Sequence, residues 1–229
     1  MTAPMTFPTF IQAVATEARR IPRNGLLCMA AGSAASIGCE LVLWSHRPGL
    51  QTTDFGLYGG LALVWVGLSY LVPMLMLGRR ASAGGFFKFV ATSLALLLPM
   101  LAAIALLVMA LKMGSAFGLL GLVLLLSAVV LLPMLAGWPL LQANSAGFVS
   151  PYWAFKATRG MRWSLVGLSF AVGGMGKTLP GAGTADDLWA ALALAALGAA
   201  VSFLVAMIGF GMAVVAYKQM AAAFPDPII

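Results

Sequence analysis

Charge is what this chain has least of. Only 8% of its 229 residues are charged, 13 Lys or Arg against six Asp or Glu, with one histidine and two cysteines. A lone histidine, His46, cannot supply the paired imidazoles of common zinc sites, and Asp186-Asp187 lacks a histidine or a third carboxylate at ligand spacing. No Ser/His/Asp set assembles either, because Asp54 is the only acid near His46. The residues therefore point to no catalytic group, cofactor or metal, and to a protein that is not an enzyme. Cys28 and Cys39 stand eleven positions apart in one apolar run. On a helix that is roughly 16 Å, too far for a disulfide, which needs Cα atoms within about 7 Å, so both read as packing residues.

What fills the chain instead is hydrocarbon: 62% of residues are hydrophobic and mean hydropathy is +1.02. Six apolar runs occur, at 25–45, 55–78, 89–111, 116–141, 163–180 and 188–217. About 20 apolar residues span a hydrocarbon core of about 30 Å as a helix. The expected fold is an all-α integral membrane protein, a bundle of six transmembrane helices with amphipathic interfacial helices. Residues 1–24 form the first interfacial helix, and 25–229 form one six-span domain with no room for a soluble catalytic domain. The first run is too long for the apolar core of a signal peptide.

The net charge of +7 invites a nucleic-acid reading, but its placement argues against one. Between runs, Arg19, Arg20, Arg23, Arg79, Arg80, Lys88, Lys156, Arg159, Arg162 and Lys218 fall on one side, and Arg47, Lys112 and Lys177 on the other. Short loops rich in Lys and Arg stay cytoplasmic, so both termini are expected there, as an even number of crossings requires. The first nine of those cations form a membrane-surface set facing anionic lipid headgroups. The Ala/Leu/Gly-rich composition suits a bacterial inner (cytoplasmic) membrane, crossed several times.

In residues 7–21, Phe7, Phe10, Ile11, Val14, Ala18 and Ile21 recur at helical spacing, an amphipathic helix lying along the interface. Pro22 and Asn24-Gly25 break it. Ser150-Pro151 opens a second interfacial helix at 150–159, the serine capping free amides and proline taking the first helical position. Tyr152, Trp153 and Phe155 are its headgroup-level anchors. Leu71–Leu75 followed by Ser82-Ala83-Gly84 is echoed by Leu131–Leu135 followed by Ser145-Ala146-Gly147. That echo suggests three two-span repeats, each an interfacial helix, an outward span and a return span.

Pro139, Ser150-Pro151, Ala154, Lys156, Arg159-Gly160, Trp163 and Tyr217-Lys218 follow a pattern seen elsewhere. Over residues 131–220 the chain resembles six-span bacterial membrane families related to the membrane domain of some glycerophosphodiester phosphodiesterases, and similar families of unknown function. The resemblance implies a six-span fold. It implies no hydrolase, since the phosphodiesterase domain is absent.

Glu40 is the one carboxylate inside an apolar run, and intramembrane charge marks a functional suspect. His46 or Arg47 could reach it if the chain folds back, and Glu40 with His46 makes the candidate intramembrane polar site. A hydrogen-bonded structural carboxylate is the competing reading. Gly173-Gly174-Met175-Gly176-Lys177-Thr178 imitates a phosphate-binding loop, but Ala171 stands where that motif needs its first glycine. Close helix packing explains these glycines better. The expected role is an accessory or scaffold subunit beside a membrane-protein partner or a second copy of itself, or one organising lipid. The alternative is a small transporter or channel for an apolar or lipid-like solute.

Overall fold

A computed structural model describes residues 5–46, 52–113, 115–175 and 180–223, with side chains for all of these but 52–53, 111–113 and 115–116. Arg47, Lys177, Gly176–Thr178 and the side chain of Lys112 lie outside the described residues. The elements are α1 (Phe7–Arg19), α2 (Arg23–Ser45), α3 (Thr52–Met76), α4 (Ala83–Met113), α5 (Ser115–Met134), α6 (Trp138–Ala143), α7 (Pro151–Ala157), α8 (Arg162–Met175) and α9 (Leu188–Ala223), with a 3-10 turn at Ala182–Thr184. No strand occurs among the described residues.

Among the described residues, five helices are long and apolar enough to cross a membrane: 23–45, 54–76, 83–110, 117–134 and 188–223. The chain is an all-helical, multi-pass membrane protein. Helix α9, at 36 residues, is about 54 Å long and exceeds a bilayer's need, as its run implies. The fifth apolar run gives only the 14 residues of α8, about 21 Å, with 176–179 outside the described residues. Six spans are thus not reached among them.

The fourth run departs from its expected length for a local reason. Helix α5 stops at Met134, a turn follows, and α6 starts anew at Trp138 with Pro139 in its first turn. Proline has no amide to donate, and its ring crowds the carbonyl four residues back, here Leu135, which favours the break between α5 and α6. At the other boundary, Arg20, Ile21 and Pro22 separate α1 from α2, with Pro22 in extended backbone (φ −67°, ψ 155°), while Asn24 and Gly25 belong to the first turn of α2. The side chain of Ser150 makes no capping bond, so Pro151 alone marks the start of α7. Ser82 does cap α4, its Oγ accepting the Gly85 amide at 3.0 Å. Residues 82–88 therefore enter α4 directly, and the second proposed repeat has no separate interfacial helix.

The chain divides into two compact units. The first joins residues 1–12, 82–168 and 212–229. Here α4 and α5 form an antiparallel hairpin, closest where a Cβ on Gly121 would lie 3.1 Å from the Ala103 carbonyl oxygen and 3.0 Å from Leu107. Around α6 and α7 the burial is deep, with Leu140, Leu141, Val149, Ala154, Thr158 and Leu165 at most 1% exposed. By contrast, Leu94, Leu98, Leu101, Ile104 and Val108 of α4, and Leu119, Val123 and Leu126 of α5, are exposed. A water-soluble chain would bury so continuous an apolar surface.

The second unit joins 13–81 and 169–211. Helices α2 and α3 pack antiparallel, Gly32 against Leu68 and Gly25 toward Val72. Its core gathers Ile21, Met29, Leu68, Val72 and Phe210. A smaller alanine cluster, Ala182, Ala185, Ala191 and Ala195, packs with Ile37, Leu41 and Trp44. The amphipathic face of α1 packs in part on protein: Val14 and Ala18 are buried, and a Cβ on Gly211 of α9 would lie 2.8 Å from the Val14 carbonyl oxygen.

Gly137 is the tightest backbone approach. A Cβ there would lie 2.5 Å from the Tyr217 nitrogen and 2.7 Å from the Ala216 carbonyl carbon. Gly137→Ala should therefore destabilise by about 1–3 kcal/mol in detergent thermal unfolding. Gly38→Ala, where a Cβ meets nothing within 4 Å, should be neutral or stabilising as helical Gly-to-Ala changes are.

Candidate functional site

The membrane-surface cations gather by unit, each at one end of its helices. In the second unit the antiparallel α2–α3 pair places Arg23 at the same end as Arg79 and Arg80, with Arg19 and Arg20 just before it in the chain. Arg19, Arg20, Arg23 and Arg80 are exposed, and Arg79 is half-buried. Arg20 has an acidic neighbour, Glu17, at 3.7 Å. In the first unit Lys88 begins α4 and its Nζ donates to the Ser145 carbonyl at 2.8 Å. Thr158 Oγ1, donating to the Met134 carbonyl at 3.2 Å, ties the α7 turn to the same end of α5. Lys156 and Arg159 are exposed there, and the Arg162 guanidinium lies 3.5 Å from the Phe155 ring centroid while its Nε donates to the Phe155 carbonyl at 3.0 Å. A guanidinium held on an aromatic face beside exposed Lys156 and Arg159 is an arrangement able to meet phosphate oxygens.

Glu40 and His46 do not form one site. His46 Nδ1 pairs with Asp54 Oδ1 at 2.7 Å, and Asp54 is 1% exposed, so the histidine closes the α2–α3 hairpin. Glu40 points elsewhere: its Oε2 accepts the Ala182 amide at 3.3 Å, across the link to the 3-10 turn. One helical turn away, Trp44 Nε1 donates to the Ala185 carbonyl at 3.1 Å and fastens the same loop. Beneath that loop lies a cleft of about 160 Å³ lined by Ser36, Glu40, Pro180, Gly181, Leu194, Ala195, Gly198, Ala199 and Ser202. Nearby, Ser36 Oγ donates to the Gly32 carbonyl at 3.0 Å and accepts Trp65 Nε1–H at 3.2 Å. Asp187, weighed above as a metal ligand, has a structural task, accepting the Ala190 amide at 2.7 Å at the start of α9. Among the described residues no group of three His, Cys, Asp or Glu side chains could hold a metal, and both cysteines are free.

Sequence reasoning missed the most ordered polar feature. After α6 the chain turns through 144–150, organised by the buried Gln142. Its Nε2 donates to the Gly147 carbonyl at 2.9 Å, and its Oε1 accepts the Val149 amide at 2.8 Å. Trp138 Nε1 donates to the Val149 carbonyl at 2.8 Å, Ser145 Oγ to Gly147 at 2.8 Å, and Asn144 Nδ2 to Leu140 at 2.8 Å. Ser145-Ala146-Gly147, read as the mark of a repeat, belongs to this loop. The available signal was Pro139 near the end of the expected fourth run, followed just past it by the polar and turn-forming residues Gln142, Asn144, Ser145 and Gly147.

No protein-family model, curated protein or solved structure matches this chain. Pro139, Ala154, Lys156, Arg159-Gly160, Trp163 and Tyr217-Lys218, which carry the resemblance described above, all fall in the first compact unit.

Gln142→Leu leaves the buried Val149 amide without its acceptor and should cost about 1–3 kcal/mol. Gln142→Glu keeps an acceptor but loses the donor to Gly147, so its cost should be smaller. Thermal unfolding in detergent, with the rate of tryptic cleavage at Lys156 and Arg159, checks the order wild type, Glu, Leu.

Proposed function

We propose that this protein is a non-enzymatic accessory or scaffold subunit of a bacterial inner membrane, packing against a membrane-protein partner or a second copy and organising lipid around it. Both termini are cytoplasmic, and α8, extended through 176–179, makes the sixth crossing. The exposed cations at the ends of each unit meet anionic headgroups, and no nucleic acid is bound. The likeness to six-span families of the phosphodiesterase-linked type, and the division into three two-span repeats, are part of this proposal.

The observation that carries it is the fate of the hydroxyls inside the long helices. Ser36 donates to Gly32, Ser69 to Trp65, Thr92 to Lys88 and Ser127 to Val123, at 2.7 to 3.0 Å, each to a carbonyl four residues back. A coupled transporter needs polar groups at that depth free for cargo or ion. These four satisfy their own backbone instead, as side chains do in helices that only pack, while the buried Ser33 Oγ of α2 has no partner among the described residues. The broad apolar faces of α4 and α5 then offer lipid-facing or partner-facing surface.

Extraction in mild detergent tests the role. A stoichiometric partner or a defined homo-oligomer, seen by native mass spectrometry, is the expected result, together with cytoplasmic reporters at both ends of the chain. A monodisperse lone protomer that moves an apolar solute in vesicles would replace the scaffold with a transporter.

A further inference from the structure

The Glu40 cleft has the composition of a receptor for a small cation, and its hydrogen-bonding inventory says which kind. Glu40 has no cationic partner within 4.0 Å among the described residues. Its Oε2 takes one long bond from Ala182, and its other oxygen takes none among the described residues. Ser36 has already given its proton to Gly32 and one lone pair to Trp65, which leaves an acceptor site only. Ser202 adds a third oxygen to the wall. The rest of the lining is small and apolar, Ala195, Gly198, Ala199 and Gly181 with Leu194 and Pro180. The free capacity is thus one negative charge with several acceptors beside a short hydrocarbon slot. A carboxylate so placed, partly removed from water, gains from a partner carrying both charge and donors.

We propose that this cleft binds a primary ammonium group on a short carbon chain. An –NH3+ head brings three donors and one positive charge, matching Glu40, Ser36 and Ser202. A quaternary ammonium has the charge without the donors, and an alcohol has a donor without the charge, so both should be rejected. The volume, about 160 Å³, is near that of an engineered cavity of about 150 Å³ that takes benzene, so a tail of a few carbons fits. Two sources share this chemistry: a free alkylamine, and the ethanolamine head of a phospholipid. The site goes beyond the scaffold role and does not depend on it.

The test is thermal unfolding of the full chain in detergent with n-butylammonium, tetramethylammonium or n-butanol. Wild type should rise by roughly 5 °C at saturating butylammonium and stay unmoved by the other two. Glu40→Gln should lose the rise. Gly198→Val, at a position where a Cβ meets nothing within 4 Å, fills the slot with Glu40 intact and should lose it too, which covers a folding defect in the first variant. No rise in wild type, an equal rise in both variants, or an equal response to tetramethylammonium overturns the proposal. Native mass spectrometry separates the sources. An ethanolamine-lipid adduct on wild type, displaced by butylammonium and missing from Glu40→Gln, assigns the head to lipid. The thermal shift without that adduct assigns it to a free amine.

Discussion

A hydrocarbon environment offers no hydrogen bonds, so each polar atom that enters it must find its partner within the protein. Most of what distinguishes this chain follows from that rule. The backbone meets it by being helical almost throughout, and the helical hydroxyls of Ser69, Thr92 and Ser127 by bonding to their own carbonyls. Where the chain must leave helical geometry, around residues 144–150, Gln142 acts as a surrogate backbone, giving one bond and accepting another. Trp138, Ser145 and Asn144 satisfy the carbonyls that remain. The loop thus keeps its buried backbone groups paired while Ala146, Gly147 and Phe148 stay exposed.

Once polar groups are settled, cohesion in lipid comes chiefly from van der Waals packing, since lipid tails are as apolar as leucine. Close approach of backbones is the main route to more of it, which gives particular glycines their meaning. Gly137 against Ala216 and Tyr217, Gly211 against Val14, and Gly121 against Ala103 and Leu107 each sit where a side chain would push two main chains apart. Other glycines, such as Gly38, Gly67 and Gly173, have open space where a Cβ would go and carry no such constraint.

The membrane character and the positions of most helices were legible because they depend on composition over long windows, where twenty leucines, valines and alanines outweigh any single residue. The basic ends were legible for the same additive reason. What could not be read depended on one residue meeting a distant one. Pro139 ends α5 early, but whether the chain then re-enters or leaves the bilayer turns on what Gln142 can reach. His46 sits six residues from Glu40 in the chain, yet its partner is Asp54 on the next helix. Asp187, which the sequence excluded as a metal ligand without giving it a task, accepts the Ala190 amide at the start of α9. The apolar stripe of α1 has the right periodicity for lipid, but only the gap left by Gly211 reveals that part of it packs on α9.

The claim on which the rest stands is that the exposed leucines of the α4–α5 hairpin are solvated by lipid tails. Spin labels at Leu94, Leu98, Leu101, Ile104 and Val108 of the protein in bilayers report this directly, through collision with molecular oxygen, which concentrates in hydrocarbon, against a polar nickel chelate, which does not. The expected profile is high oxygen and low nickel accessibility along the middle of α4, with nickel accessibility rising toward Lys88. Uniformly high nickel accessibility along the helix would place this hairpin in water and contradict the membrane-spanning fold.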